Sequence, residues 1–82
     1  MEPDAWWRLR RAAAEEAFAS EDPYEVAAVL GEMIDALTDG PPHDPEIALA
    51  TIPHLSRATA AAESSDLRSA RDEYEQALPG LP

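Results

Sequence analysis

Two Asp-Pro pairs constrain the fold of this chain more than any other feature of its sequence. Asp22-Pro23 and Asp44-Pro45 each put a good N-capping residue directly before a proline, which is favoured at the first position of a helix. Glu25 follows Asp22 by three residues, where its side chain can reach back to the amide of the capping residue. We therefore predict that one helix begins at 23 and another at 45.

The segment that follows Asp22 has the apolar spacing of one helical face. Its apolar residues recur at intervals of three and four: Val26, Val29, Leu30, Met33, Ile34 and Leu37. Gly40, Pro41 and Pro42 end this pattern, because glycine suits the left-handed position after a helix and proline does not continue one. The sequence predicts a helix over 23–38.

Weaker stripes of the same period predict helices over about 4–20, 45–63 and 65–78. Pro53 stands in mid-pattern, and an interior proline costs a helix about 3 kcal/mol. We therefore expect the third segment to be broken or kinked at Pro53, as a short helix over 45–52 or as a longer, sharply kinked one. No segment alternates as a strand does. The predicted fold class is all-α, a small bundle of about four short helices.

Length and composition indicate a single helical domain over 1–82 with a thin core. Seventeen of its 82 residues are alanine, which favours helix but buries little area. There is no cysteine to form a disulfide, so we expect the chain to compensate by self-association as a dimer. No cofactor and no metal are expected, because His43 and His54 are not at the spacing of a helical metal site.

The charge of the chain narrows the class of partner. Seventeen acids face six arginines and no lysine, which gives a net charge of −11. This charge argues against direct nucleic-acid binding and against anionic membranes, and it favours a basic protein partner. No apolar run is long enough to span a membrane, and the first residues lack the pattern of a secretory signal. We expect a cytoplasmic protein.

Both tryptophans and half of the arginines fall within one short stretch, Trp6-Trp7-Arg8-Leu9-Arg10-Arg11. Adjacent helical residues point about 100° apart, so we expect one of the two indoles to lie at a boundary. A partly exposed tryptophan beside arginines is typical of interface hot spots, which makes Trp6, Trp7, Arg8 and Arg11 candidate partner-binding residues. The alternative is that an indole fills an alanine-lined core and the arginines pair with acids of the second helix.

The second helix carries an acidic row, formed by Glu25, Glu32, Asp35 and Asp39 at spacings of 7, 3 and 4. No basic residue occurs between 21 and 40. A solvated outer face explains this row without any function. The alternative is a docking surface for a basic protein, or a phosphate-like row that occupies a nucleic-acid groove. We therefore add Glu25, Glu32 and Asp35 to the candidate partner-binding residues.

No catalytic motif occurs in the sequence: there is no nucleophile elbow and no phosphate-cradling loop with a lysine. We therefore predict a non-enzymatic protein that binds a protein partner and self-associates. Such a protein acts as a regulator, adaptor or inhibitor, of the kind that phages and mobile elements encode. Two alternatives stay open, an acidic DNA mimic that inhibits a nucleic-acid-binding protein and an accessory subunit of a larger complex.

Overall fold

The computed structural model describes residues 3–39 and 44–82, and both stretches are almost entirely helical. Four α-helices follow one another: α1 Pro3–Ala19, α2 Pro23–Asp39, α3 Pro45–Glu63 and α4 Leu67–Ala77, with a short 3-10 turn at Leu78–Gly80. Neither described stretch contains a strand, so the prediction of a small all-α bundle is confirmed. The predicted helix stop at 40–42 and His43 lie outside the described residues.

Both predicted Asp-Pro helix starts are confirmed. Asp22 Oδ1 accepts hydrogen bonds from the amides of Tyr24 and Glu25 at 3.1 and 3.2 Å. Asp44 Oδ1 accepts from the amides of Glu46 and Ile47 at 3.0 and 3.3 Å. These bonds satisfy backbone donors that have no partner within the helix.

The predicted return bond from Glu25 to the Asp22 amide is wrong, because that amide donates to the Ala17 carbonyl at 3.1 Å. It thereby closes the end of α1. Glu21 adopts the left-handed conformation there, with φ 53°, as a residue just past a helix end often does.

The connection from α3 to α4 repeats this arrangement. Ser65 is left-handed with φ 62°, and the Asp66 amide donates to the Ala61 carbonyl at 2.8 Å. Asp66 Oδ1 then accepts from the Ser69 amide and so caps α4. At both connections one aspartate ends a helix with its amide and begins the next with its carboxylate.

Helix α3 runs without interruption through Pro53, so the expectation of a short helix over 45–52 is wrong. A proline at this position leaves the carbonyl of Leu49 without its helical donor. Both Pro53 and Leu49 are exposed, and water can bond that carbonyl. Ile52, just before the proline, packs against the core that buries Leu55 just after it, which favours a single helix over two.

The core is built around the apolar face of α2. Val26, Val29, Leu30 and Met33 are almost fully buried, and α2 packs between α1 and α3. Buried alanines let the helices approach closely, and they lie on all of the other three: Ala14, Ala17, Ala48, Ala58, Ala62, Ala70 and Ala77. Each helix packs most extensively against its neighbours along the chain.

Side chains and the 3-10 turn complete the contacts across the bundle. Phe18 of α1 reaches Tyr74 of α4, with their ring centroids 5.5 Å apart. The 3-10 turn lies against α3 so closely that a Cβ on Gly80 would overlap Thr51 Oγ1. Thr51 is buried there, and its hydroxyl donates to the Ile47 carbonyl at 2.7 Å.

Candidate functional site

The two tryptophans occupy different environments, as the angle between adjacent helical residues predicts. Trp7 is 6% exposed and belongs to the core, whereas Trp6 is partly buried at its edge. Their rings meet edge to face, with centroids 5.0 Å apart and an interplanar angle of 84°. A side chain as buried as Trp7 offers a partner little surface, and its place in the core gives it a role in the fold.

The arginines beside the tryptophans differ in the same way. The Arg10 guanidinium lies 5.8 Å from the centroid of the Trp6 ring, and its Nη1 donates to Glu32 Oε2 at 2.9 Å. The Arg11 guanidinium is partly buried and donates to the Pro82 carbonyl. Arg8 is exposed. Trp6, Arg10 and Arg11 therefore join α1 to the rest of the fold, and Arg8 is the basic residue of this group that faces solvent.

Two further arginines pair with acids of α1 and α4. Arg71 of α4 donates to Glu15 at 2.7 Å and to Glu75 at 3.0 Å. Arg57 of α3 donates to Glu73 at 3.1 Å. These ion pairs lower the local negative charge of α1 and α4. On α2, the one acid paired among the described residues is Glu32, whose partner is Arg10.

His54 belongs to the same group of charges on α3 and α4. Its Nδ1 lies 3.0 Å from Glu73 Oε2. The hydrogen bond to His54, and then that from Arg57, hold the pKa of Glu73 below its ordinary value. This arrangement of an imidazole, a guanidinium and a carboxylate links two helices, and a role in the fold accounts for it.

The outer face of α2 is an acidic surface. Glu25, Glu32, Asp35 and Asp39, which we call the α2 acidic face, are all exposed. Helix α2 contains no basic residue, and within the described part of the chain Glu32 is the one member held by an ion pair, with Arg10. The three predicted acidic site residues therefore share one solvent-facing surface, and that surface keeps most of its charge.

Tyr24 is a surface residue that the sequence analysis did not single out. It is 89% exposed, more than any other large apolar or aromatic side chain of the described residues. It borders a groove of about 250 Å³ where the start of α2 meets the end of α3, lined by Pro23, Tyr24, Ala27, Ala62, Glu63 and Ser65. An aromatic residue at a polar position of the helical pattern was the available signal. The groove itself had none, because it depends on how α2 and α3 pack.

Two negative findings concern the described stretches alone. No three histidine, aspartate or glutamate side chains within residues 3–39 and 44–82 are arranged to hold a metal ion. In the same stretches, no helix combines the length and the apolar character needed to cross a membrane.

Comparisons of the chain with protein-family models, with curated proteins and with solved structures find no match.

Proposed function

We propose that this chain is a non-enzymatic cytoplasmic protein that binds a basic protein partner through the α2 acidic face. The observation that supports this proposal is the uneven pairing of charge over the surface. Arginines pair with acids on α1 and α4, while α2 has no basic residue and exposes four acids, of which one is paired with another described residue. A surface of one sign steers a partner of the opposite sign and speeds its association.

The charge density of the α2 acidic face favours a protein partner over mimicry of DNA. With a rise of about 1.5 Å per residue, the row from Glu25 to Asp39 is about 21 Å long. One DNA strand places about six phosphates along that length of its axis. The row supplies four acids, and Glu32 is already paired with Arg10. DNA mimicry therefore stays the second alternative.

Neutralising the α2 acidic face is expected to weaken binding of a basic peptide by about tenfold. The variant combines Glu25→Gln, Asp35→Asn and Asp39→Asn and leaves the Arg10–Glu32 pair intact. Each exposed ion pair contributes about 0.5 kcal/mol, so three together correspond to roughly a tenfold change in Kd. Fluorescence anisotropy with a labelled oligoarginine peptide measures the effect, at low and at high salt.

A second triple variant controls for the overall change in charge. Asp4→Asn, Glu46→Gln and Asp72→Asn remove the same number of exposed acids from α1, α3 and α4. This variant should bind the peptide nearly as well as the wild-type protein. Equal losses in the two variants would show that net charge alone attracts the peptide, and would overturn the assignment to α2.

We also propose self-association, and the observation that favours it is an uncharged stripe on the outer face of α3. Leu49 is 73% exposed, and Pro53, Ser56 and Ala60 continue this stripe along the helix. Along this stripe two strongly acidic chains can meet without bringing carboxylates of the stripe itself together.

Leu49→Glu is expected to turn a dimer into a monomer, because it replaces the most exposed apolar side chain of the stripe with a charge. Sedimentation velocity at micromolar protein measures the change, with Ala12→Glu as a control on the exposed side of α1. A wild-type protein that is already a monomer would remove this part of the proposal.

A further inference from the structure

We propose that the groove beside Tyr24 receives an arginine side chain of the partner. This inference rests on the proposed function, and it names the chemical group that the partner presents. Four observations support it: the exposed aromatic ring, the unpaired acid of the groove, the helix end on which that acid lies, and the size and lining of the groove.

The Tyr24 ring gives the groove a face that attracts a planar cation. It is 89% exposed, so a guanidinium can stack on it without any rearrangement of the core. Arginine is more suited to this contact than lysine, because its planar group stacks on aromatic rings and also offers a fork of donors to a carboxylate.

Glu63 is the acidic residue of the groove lining. It is exposed, lies in the last turn of α3, and forms no ion pair with another described residue. That turn contains no basic residue, although the C-terminal end of a helix carries partial negative charge. An acid at this position is unfavourable in the free protein, and a bound cation would relieve the repulsion.

The N-terminal end of α2, which also borders the groove, carries partial positive charge. The carboxylate of Asp22 caps that end and accepts from two of its amides. The partial positive charge at the start of α2 is therefore already balanced by Asp22. The carboxylate of Glu63 remains to attract a cation.

The dimensions and lining of the groove fit one extended side chain. Its volume of about 250 Å³ is below the range of about 300–1,000 Å³ that is usual for small-molecule sites. The other lining residues are Ser65 and the apolar Pro23, Ala27 and Ala62. The three apolar residues offer surface to the methylene stem of an arginine.

The test compares three short blocked peptides that differ at one central residue: arginine, lysine or citrulline, which has the shape of arginine without its charge. Titration of the isotope-labelled full chain followed by NMR measures binding. We expect the arginine peptide to shift the amide signals of Ala27, Ala62 and Ser65. The lysine peptide should bind with a Kd at least about threefold higher than that of the arginine peptide. The citrulline peptide should produce no saturable shift.

Point variants separate the ring from the charge. Tyr24→Phe should keep the affinity for the arginine peptide, while Tyr24→Ala and Glu63→Gln should each reduce it about two- to fivefold. Both residues are exposed, so the variants are expected to fold like the wild-type protein. Shifts that spread over the α2 acidic face and persist in Tyr24→Ala would overturn the proposal, as would equal binding of the citrulline peptide.

The triple variant of the α2 acidic face keeps the two proposals separate. It should still bind the arginine peptide in the groove, apart from a modest loss through the neighbouring Glu25. If the arginine peptide does not bind in the groove while oligoarginine still binds the α2 acidic face, this inference alone is wrong. If oligoarginine does not distinguish the acidic face from its control, the proposed function is wrong whatever the groove binds.

Discussion

Replacing Tyr74 with alanine is expected to lower the free energy of unfolding by about 3–5 kcal/mol, a loss typical of large aromatic-to-alanine changes in cores. Tyr74 is fully buried, and it is the largest fully buried side chain among the described residues. Small domains have little stability to spare, so the variant should unfold at a much lower urea concentration than the wild-type protein. Urea denaturation followed by circular dichroism measures the change.

Tyr74→Phe is the matched control, and it should leave stability unchanged or raise it by up to about 1 kcal/mol. The buried hydroxyl has no hydrogen-bond partner among the described residues, so its removal breaks no bond. A loss above about 1 kcal/mol in Tyr74→Phe would contradict this account, because it would reveal a partner for the hydroxyl.

The pH dependence of stability gives a second measurement on the same pair. Burial raises the pKa of Tyr74 from 10.0 to about 12. Between these values the unfolded chain loses the phenolic proton and the folded chain keeps it, so stability falls as the pH rises. Tyr74→Phe should lack this contribution and show a smaller loss of stability over that range.

Trp7→Ala is expected to cost about 3–5 kcal/mol, and Trp6→Ala only about 1–2 kcal/mol. The first change leaves a cavity in the core, whereas the second removes a partly buried ring from its edge. Circular dichroism during urea denaturation suits this pair, since each change also removes a fluorophore.

The functional measurement on the same pair separates the tryptophans from the proposed site. Trp6→Ala should bind the oligoarginine peptide as the wild-type protein does, because the α2 acidic face does not include Trp6. If a well-folded Trp6→Ala protein bound the peptide more weakly, the partner-binding surface would have to include α1. Equal destabilisation by the two changes would contradict the placement of Trp6 at the edge of the core.

The helix starts and the buried face of α2 were predictable because their signals are local. A capping aspartate acts on amides two and three residues later, and an apolar stripe repeats within two turns. Those rules need no knowledge of the neighbouring helices. The acidic face followed from the same pattern, since Glu32 and Asp35 stand away from the buried stripe.

The remaining features depend on contacts between helices and were not predictable from local rules. Pro53 is accommodated because it faces solvent while Leu55 joins the core. The sequence predicted that one indole is buried and the other lies at a boundary. Which of the two is buried depends on how α1 packs, and in the structure it is Trp7. The groove brings Tyr24 to Glu63, which lies on the next helix, and no spacing in the sequence predicts that meeting.

The packing of each helix against its neighbours along the chain also bears on how the molecule folds. Contacts between consecutive helices close short loops, so they cost little chain entropy. Helical topologies of this kind reach the native state within microseconds to milliseconds. The bonds that join α1 to the C-terminal region, from Arg71 to Glu15 and from Arg11 to Pro82, span far more of the chain. They are therefore expected to form late, when the hairpins α1–α2 and α3–α4 have already assembled.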